Sequence, residues 1–227
     1  MIVVAWNMRN NRAAWGHLLN GLAPDLALLQ ETTPRLDASR AGHLLHARAY
    51  PHQLWGSAIY VKQRVARELP LPPEHRGWLM AAEVALPGFP TLVAASVHAR
   101  IVDRYVRPNL DRAFDALEPL LARRSFVLGG DLNLSRNYDT VYGTTHHTEF
   151  LEGLSTRGYF DCMRKFHTEE QQTFWRKGMT NAYQDDHIFV SSDLAARVVS
   201  CNVADRAGLS DHSPLMLSLE PGPHAAS

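Results

Sequence analysis

The amino-acid sequence predicts an α+β fold, a four-layer α/β sandwich in which two mixed β-sheets pack face to face and helices cover the outside. Three observations carry that expectation. Short apolar runs bounded by turn residues recur along the chain, of strand length and rich in Val, Ile, Leu and aromatics. Helical spacing appears between only some of them, so strict βα alternation is absent. No repeat, low-complexity block or linker divides the 227 residues, so residues 1–220 are expected to form one domain, with 221–227 a disordered tail.

The expected elements run as follows. Residues 2–6 (IVVAW) form a strand. A helix follows over 13–22, where Ala14, Leu18 and Leu22 recur at fourfold spacing ahead of Pro24. Strands are expected at 26–29, 58–61, 78–85 and 91–97. Residues 108–121 make the longest helix, with Pro108 in its first turn and Leu110, Phe114, Leu117 and Leu121 on one face. A strand at 126–128, a helix at 147–157 closed by Gly158, and strands at 187–190, 197–203 and 214–219 complete the series.

Composition narrows the function classes. Hydrophobic residues make up 45% and charged residues 20%, the balance of an ordinary globular protein. The 23 basic and 23 acidic side chains cancel, which removes a global attraction to nucleic acid or anionic membrane but leaves room for a local basic face. Cys162 and Cys201 have neither CxxC nor zinc-ligand spacing, so a reducing, cytoplasmic setting is expected. The first apolar run is too short for a secretory signal, so Met1 is expected to be the mature start. Nothing approaches the roughly 20 apolar residues that cross a bilayer, and a monomer without membrane association is the expectation.

The informative residues are polar groups at the strand ends. They are Asn7 after the first strand, Glu31 after ALLQ, His98 after LVAASV, Asp131 and Asn133 in FVLGGDLNLS, Asp186 ahead of HIFV, and Asp211-His212 ahead of the last strand. Each alone has an ordinary explanation: a turn former, a helix cap, an Asx-turn or a solvated surface pair. Together they offer carboxylate and amide oxygens from separate strand ends, which is what a hard cation such as Mg²⁺ accepts. The imidazoles could contact a phosphate oxygen or exchange protons. Zinc would favour a compact His/Cys cluster instead.

The ordered series WN (6–7), LLQE (28–31), VH (97–98), GDLN (130–133), DHIFVS (186–191) and SDHSP (210–214) resembles the endonuclease/exonuclease/phosphatase superfamily, which includes DNase I-like and exonuclease III-like enzymes. The resemblance spans Trp6 to about Leu219 and implies a two-sheet sandwich acting as a single catalytic domain. It implies Mg²⁺ or Mn²⁺ held by Glu31 with Asn7 beside it, and Asp211 as a second metal-side carboxylate. By the same resemblance, Asp131 deprotonates the attacking water and Asn133 holds that water or a phosphate oxygen. His212 contacts the scissile phosphate, Asp186 orients it, and His98 is a candidate general acid.

Substrate residues are expected around this set. Arg9 and Arg12, Arg100, Arg104 and Arg107, Arg136, and Arg176 with Lys177 all follow or precede site-bearing strands, as a local anion-binding rim would. The segment TFWRKGMTNAYQDDHIFVS (173–191) is similar to the exonuclease III and AP-endonuclease segment whose aromatics line a sugar pocket. Phe174 and Trp175 match it, while Tyr183-Gln184-Asp185 departs from it, as does Met8-Arg9-Asn10 after Asn7. The expectation is therefore a metal-dependent phosphodiesterase, a nuclease whose partner is nucleic acid, DNA first. A phosphatase or phosphodiesterase for a small or lipid-linked ester is the alternative, and a non-catalytic binding domain comes last.

Overall fold

The computed structural model describes residues 1–62, 66–102 and 106–222. The first sheet contains β1 (Ile2–Asn7), β2 (Leu26–Thr32), β3 (Gly42–Arg48), β4 (Gly56–Lys62), β11 (Val198–Val203) and β12 (Leu215–Leu219), in the order β11-β12-β1-β2-β4-β3. The second contains β5 (Ala66–Leu69), β6 (Leu79–Val84), β7 (Leu92–His98), β8 (Phe126–Asp131), β9 (Tyr159–Asp161) and β10 (Asp186–Ser191), in the order β5-β6-β7-β8-β10-β9. Only β1–β2 and β7–β8 pair in parallel, one central pair in each sheet. The parallel carboxyl ends Asn7, Gln30, His98 and Asp131 thus fall at strand ends that can share one edge of the sandwich.

Alternation explains the layers. In β1, Val3 and Ala5 enter the core between the sheets, while Val4 and Trp6 join Trp15 and Leu18 of the first helical segment on the outer face. That segment is α1 (Ala14–Gly16), which continues as a π-helical turn at His17–Leu22 and ends at Ala23 in a left-handed conformation. In the second sheet, Ala94, Val127, Ile188 and Val190 face inward. Val93, Ala95, Val97 and Leu128 face outward against Leu110, Phe114 and Leu117 of α3 (Arg107–Leu121) and Phe150 of α5 (His146–Thr156). Strands buried on both faces read as continuous apolar runs.

Where sequence and structure differ, the missing elements are short or at sheet edges. β3 and β5 are edge strands, β9 has three residues, and α2 (Leu36–Ala41) and α4 (Arg136–Tyr142) have six and seven. Such pieces bury too few side chains to display a period. The strand expected at 126–128 in FVLGGDLNLS is longer than that. β8 continues straight through Gly129-Gly130 to Asp131. At the other end of the chain, Gly222 N–H donates to Gly88 O, and residues 223–227 lie outside the described residues.

The glycines serve close approach. A Cβ on Gly129 would lie 3.1 Å from the Ala5 Cβ of the facing sheet, and one on Gly130 would lie 2.0 Å from Val97 O and 2.6 Å from Gln30 Nε2. Gly130 also has a φ of 144°, which side chains rarely adopt. Gly130→Ala should therefore destabilise the fold by more than about 2 kcal/mol. A urea midpoint unchanged from wild type would contradict this account of the packing.

Candidate active site

The alternation that buries the strands also places the site. Asn7 continues the inward row of Val3 and Ala5, and His98 continues that of Ala94 and Ser96. Asp131 continues Val127 and Gly129, and Asp186 precedes Ile188 and Val190. His98 and Asp186 are both in register with Asp131, so the three form one transverse row across the second sheet. Small residues behind this row (Ala5, Ser96, Gly129) let the sheets come close enough for polar groups to meet across them. Asn7 Nδ2 donates to Asp131 Oδ2 at 3.0 Å, and Gln30 Nε2 donates to Ser96 Oγ at 2.8 Å.

Glu31 arrives by another route. Strict alternation gives the inward seat in β2 to Gln30. Glu31 has φ of 46°, and the β2–β4 register shifts between Leu29 and Thr32. That irregularity brings its carboxylate to 3.2 Å from Asn7 Nδ2 and 3.7 Å from His98 Nε2. Asn7 thus bridges Glu31 and Asp131 through one amide nitrogen, while its Oδ1 accepts the Arg9 N–H at 3.0 Å. In this arrangement Asn7 lies beside Glu31 and spaces the two carboxylates.

The segment carrying His212 is tied back onto β1. Ser210 Oγ donates to Asn7 O at 2.8 Å and accepts the His212 N–H at 3.0 Å, while Trp6 Nε1 donates to His212 O at 2.9 Å. His212 Nδ1 lies 2.8 Å from Asp186 Oδ2, and its Nε2 lies 3.7 Å from Asp131 Oδ2. Burial disfavours the imidazolium, but Asp186 and Asp131 outweigh it and push His212 up to about 10. Burial holds His98 below the ordinary histidine value, against the pull of Asp131. Asp131 Oδ1 accepts the Asn133 N–H at 3.0 Å, and Asn133 Nδ2 donates to Ala99 O at 3.1 Å.

The centre is short of positive charge. Burial, opposed by His212 and reinforced by Asp186, raises the Asp131 carboxyl. Burial and the charges of Asp131 and Asp186 push Asp185 up to about 8. Asp186 Oδ1 is buried without a hydrogen-bond partner among the described residues. Hard carboxylate oxygens in excess of nearby cations are the donor set of a divalent ion such as Mg²⁺, so the residues fit one. Atoms of Asp131, Asp186 and His212 lie within 4.8 Å of one another, as metal ligands could. Protonated His212, already bonded to Asp186, has no lone pair to give, so the Glu31 side of Asp131 suits a cation better.

Other expected residues are distributed around this centre. Asp211 pairs with Arg9 at 3.1 Å and approaches Ser210 Oγ at 3.5 Å. Arg136 turns toward Asp161 and Glu170, both 3.9 Å away. Arg100 lies 5.0 Å from the Trp78 ring centroid, and Arg104 lies outside the described residues. Phe174 packs 5.0 Å from the His212 ring. Trp175 and Tyr183 separate. Trp175 lines a depression of about 550 Å³ with Arg9, Arg176, Lys177, Arg206 and Asp211, whereas Tyr183 lines an adjoining groove that shares Arg176 and Lys177 with it.

Several participants were not singled out from sequence. Thr173 Oγ1 accepts both the Asp185 and Asp186 N–H groups, at 3.0 and 3.1 Å, and so sets the backbone entering β10. Trp78 packs 4.9 Å from the His98 ring, with Trp55 5.7 Å from Trp78. Their signal was weak, because an aromatic at a strand start or in a loop is indistinguishable from core packing until its neighbours are known.

Comparison with known proteins bears on the family and the fold. The model of the Endonuclease/Exonuclease/phosphatase family matches residues 4–212. No curated protein matches the chain. The fold is similar to that of the 3'-5' exonuclease NExo from Neisseria meningitidis, with a TM-score of 0.77 at 20% identity, covering 97% of this chain and 100% of that one. It is also similar to an AP endonuclease from Archaeoglobus fulgidus (0.75, 20%, 97% and 99%). A third likeness is to the endonuclease domain of TRAS1, a telomere-specific non-LTR retrotransposon (0.71, 16%, 96% and 98%).

Proposed function

The chain belongs to the endonuclease/exonuclease/phosphatase family, a family of phosphate-ester hydrolases, and we propose that within it this protein is a metal-dependent nuclease that cleaves DNA with a water activated at Asp131. The observation that carries this reading is convergence on one oxygen. Asp131 Oδ2 lies 3.0 Å from Asn7 Nδ2 and 3.7 Å from both His98 Nε2 and His212 Nε2.

The roles follow from chemistry. Asp131, oriented by the Asn133 N–H and the Asn7 amide, takes the proton of the attacking water. His212, kept protonated and aimed by Asp186, offers Nε2–H to a non-bridging phosphate oxygen where negative charge grows. His98, buried beside Trp78, is placed to bond the phosphate or the departing oxygen. Asn133 keeps its side-chain oxygen for the water or phosphate, since Nδ2 is engaged by Ala99 O. Glu31, with Asp131 beside it, would hold Mg²⁺ or Mn²⁺, which supplies Lewis-acid stabilisation of the phosphoryl oxygens.

A nucleic-acid substrate is supported by the basic residues around Asp211: Arg9, Arg176, Lys177 and Arg206 share one depression with that single carboxylate. If these four groups meet phosphates, DNA affinity of the Asp131→Asn protein should fall with salt at a log–log slope of about −3. A flat dependence, measured by fluorescence anisotropy, would point to a small or neutral substrate. The activity itself is tested on single-stranded, duplex and abasic DNA, RNA and a chromogenic phosphodiester, each with and without EDTA. DNA cleavage abolished by EDTA is expected. Hydrolysis confined to small phosphate esters would replace this reading with the phosphatase one.

A further inference from the structure

Adjoining the basic depression, with which it shares Arg176 and Lys177, lies a groove of about 800 Å³ also lined by Asn133, Phe174 and Asp185. Tyr138 and Tyr142, one turn apart on α4, line it with His147 and Tyr183. Tyr138 is enclosed. His147 stacks on it with ring centroids 4.6 Å apart and planes 9° apart, and Tyr142 packs at 4.4 Å. Tyr142 differs: it is 60% exposed, and Tyr138 is its one close ring neighbour among the described residues.

The ring is held in place from beneath. Glu170 accepts the N–H groups of Arg136 and Asn137 at 2.7 and 3.0 Å, which anchors the first turn of α4. Asp139 accepts from Thr144 Oγ1 at 2.6 Å and from the Thr148 N–H at 2.7 Å, which fixes α4 against α5. Arg176 and Lys177 line the groove as well, and neither makes an ion pair among the described residues. An open aromatic face with two cations, continuous with a phosphodiester-hydrolysing centre, matches a nucleotide: the face takes a base and the cations take phosphates.

The geometry also selects the form of nucleic acid. Inside a duplex both faces of every base are covered by its neighbours, so only an unpaired or end base can lie on a protein ring. We infer that Tyr142, backed by Tyr138 and His147, is a stacking platform for one unpaired base next to the scissile phosphate, which makes single-stranded or frayed DNA the preferred substrate of this centre. This inference rests on the nuclease reading above.

The test compares kcat/KM for wild type, Tyr142→Ala and Tyr142→Phe. The substrates are a single-stranded oligonucleotide, the same sequence as a blunt duplex with its ends blocked from fraying, and bis-(p-nitrophenyl) phosphate. Wild type should prefer the single strand. Tyr142→Ala should lose about 5- to 150-fold on it, the range spanned by stacking one base on one aromatic face. Tyr142→Phe should stay near wild type, and the small diester should be hydrolysed equally by all three proteins. Unchanged single-strand cleavage by Tyr142→Ala, or an equal loss on the small diester, overturns the platform while leaving the nuclease reading intact. A wild-type enzyme that hydrolyses the small diester and no DNA overturns the nuclease reading itself.

Discussion

Asp131→Asn should lower kcat by about 10²- to 10⁴-fold, the contribution of a positioned general base, with the folded structure retained. The substitution keeps the size of the side chain and an oxygen for the Asn7 amide or the Asn133 N–H. It removes the proton acceptor and the charge on which His98, His212 and Asn7 converge. Because burial already raises the Asp131 carboxyl, its charge is a cost to the folded state. The variant should therefore melt at the wild-type temperature or above it. Loss of turnover with undiminished stability separates a chemical role from a structural one; calorimetry beside single-turnover kinetics reads both, and a large fall in melting temperature would count against the assignment.

His212 offers a second large effect, but its simplest substitution is a poor test. His212→Ala should cost about 10²- to 10³-fold in kcat, as the loss of one preorganised donor to developing charge does. It would also strip Asp186 Oδ2 of its partner in a residue whose Oδ1 already has none, and an unpaired buried carboxylate is strongly destabilising. Asp186→Asn separates the two effects. It removes the carboxylate that orients and protonates the ring while leaving the ring in place. A fall of about 10²-fold or more in kcat, with KM little changed and the fold intact, is expected. Wild-type turnover by Asp186→Asn would remove the imidazolium from the mechanism.

The comparison of sequence and structure turns on alternation. The period of two that buries Val3 and Ala5 predicts that Asn7 faces inward, and the same count delivers His98 after Ser96 and Asp131 after Gly129. Much of the site was therefore legible in the sequence, because strands buried on both faces leave a residue at the strand end a single orientation. Glu31 breaks that count. Its approach to Asn7 depends on a positive φ and a register shift, neither of which is written in the identity of a glutamate. The expected strand at 126–128 stopped short of the β8 glycines because close approach of a second sheet has no local signature. Their constraint comes from Ala5, Gln30 and Val97, distant in the chain.

The flanks were the least legible part. Arg136 and Arg9 both neighbour site motifs, yet Arg136 is absorbed by Asp161 and Glu170, and Arg9 pairs with Asp211. Long cationic side chains reach many partners from one backbone position, so sequence proximity to a motif does not determine which anion they meet. Tyr138 and Tyr142 carry the spacing of one helical turn, but α4 has only seven residues and no apolar stripe to reveal it.

The central claim is that metal-dependent phosphodiester hydrolysis occurs at Asp131. Its most direct test is the initial rate of hydrolysis of bis-(p-nitrophenyl) phosphate by wild type and Asp131→Asn, with Mg²⁺ or Mn²⁺, after EDTA, and after metal is restored in excess. The account predicts wild-type hydrolysis that EDTA abolishes and added metal restores, and a rate for Asp131→Asn lower by at least about 10²-fold whenever metal is present. Hydrolysis that survives EDTA, or an Asp131→Asn rate equal to wild type with metal present, would contradict it.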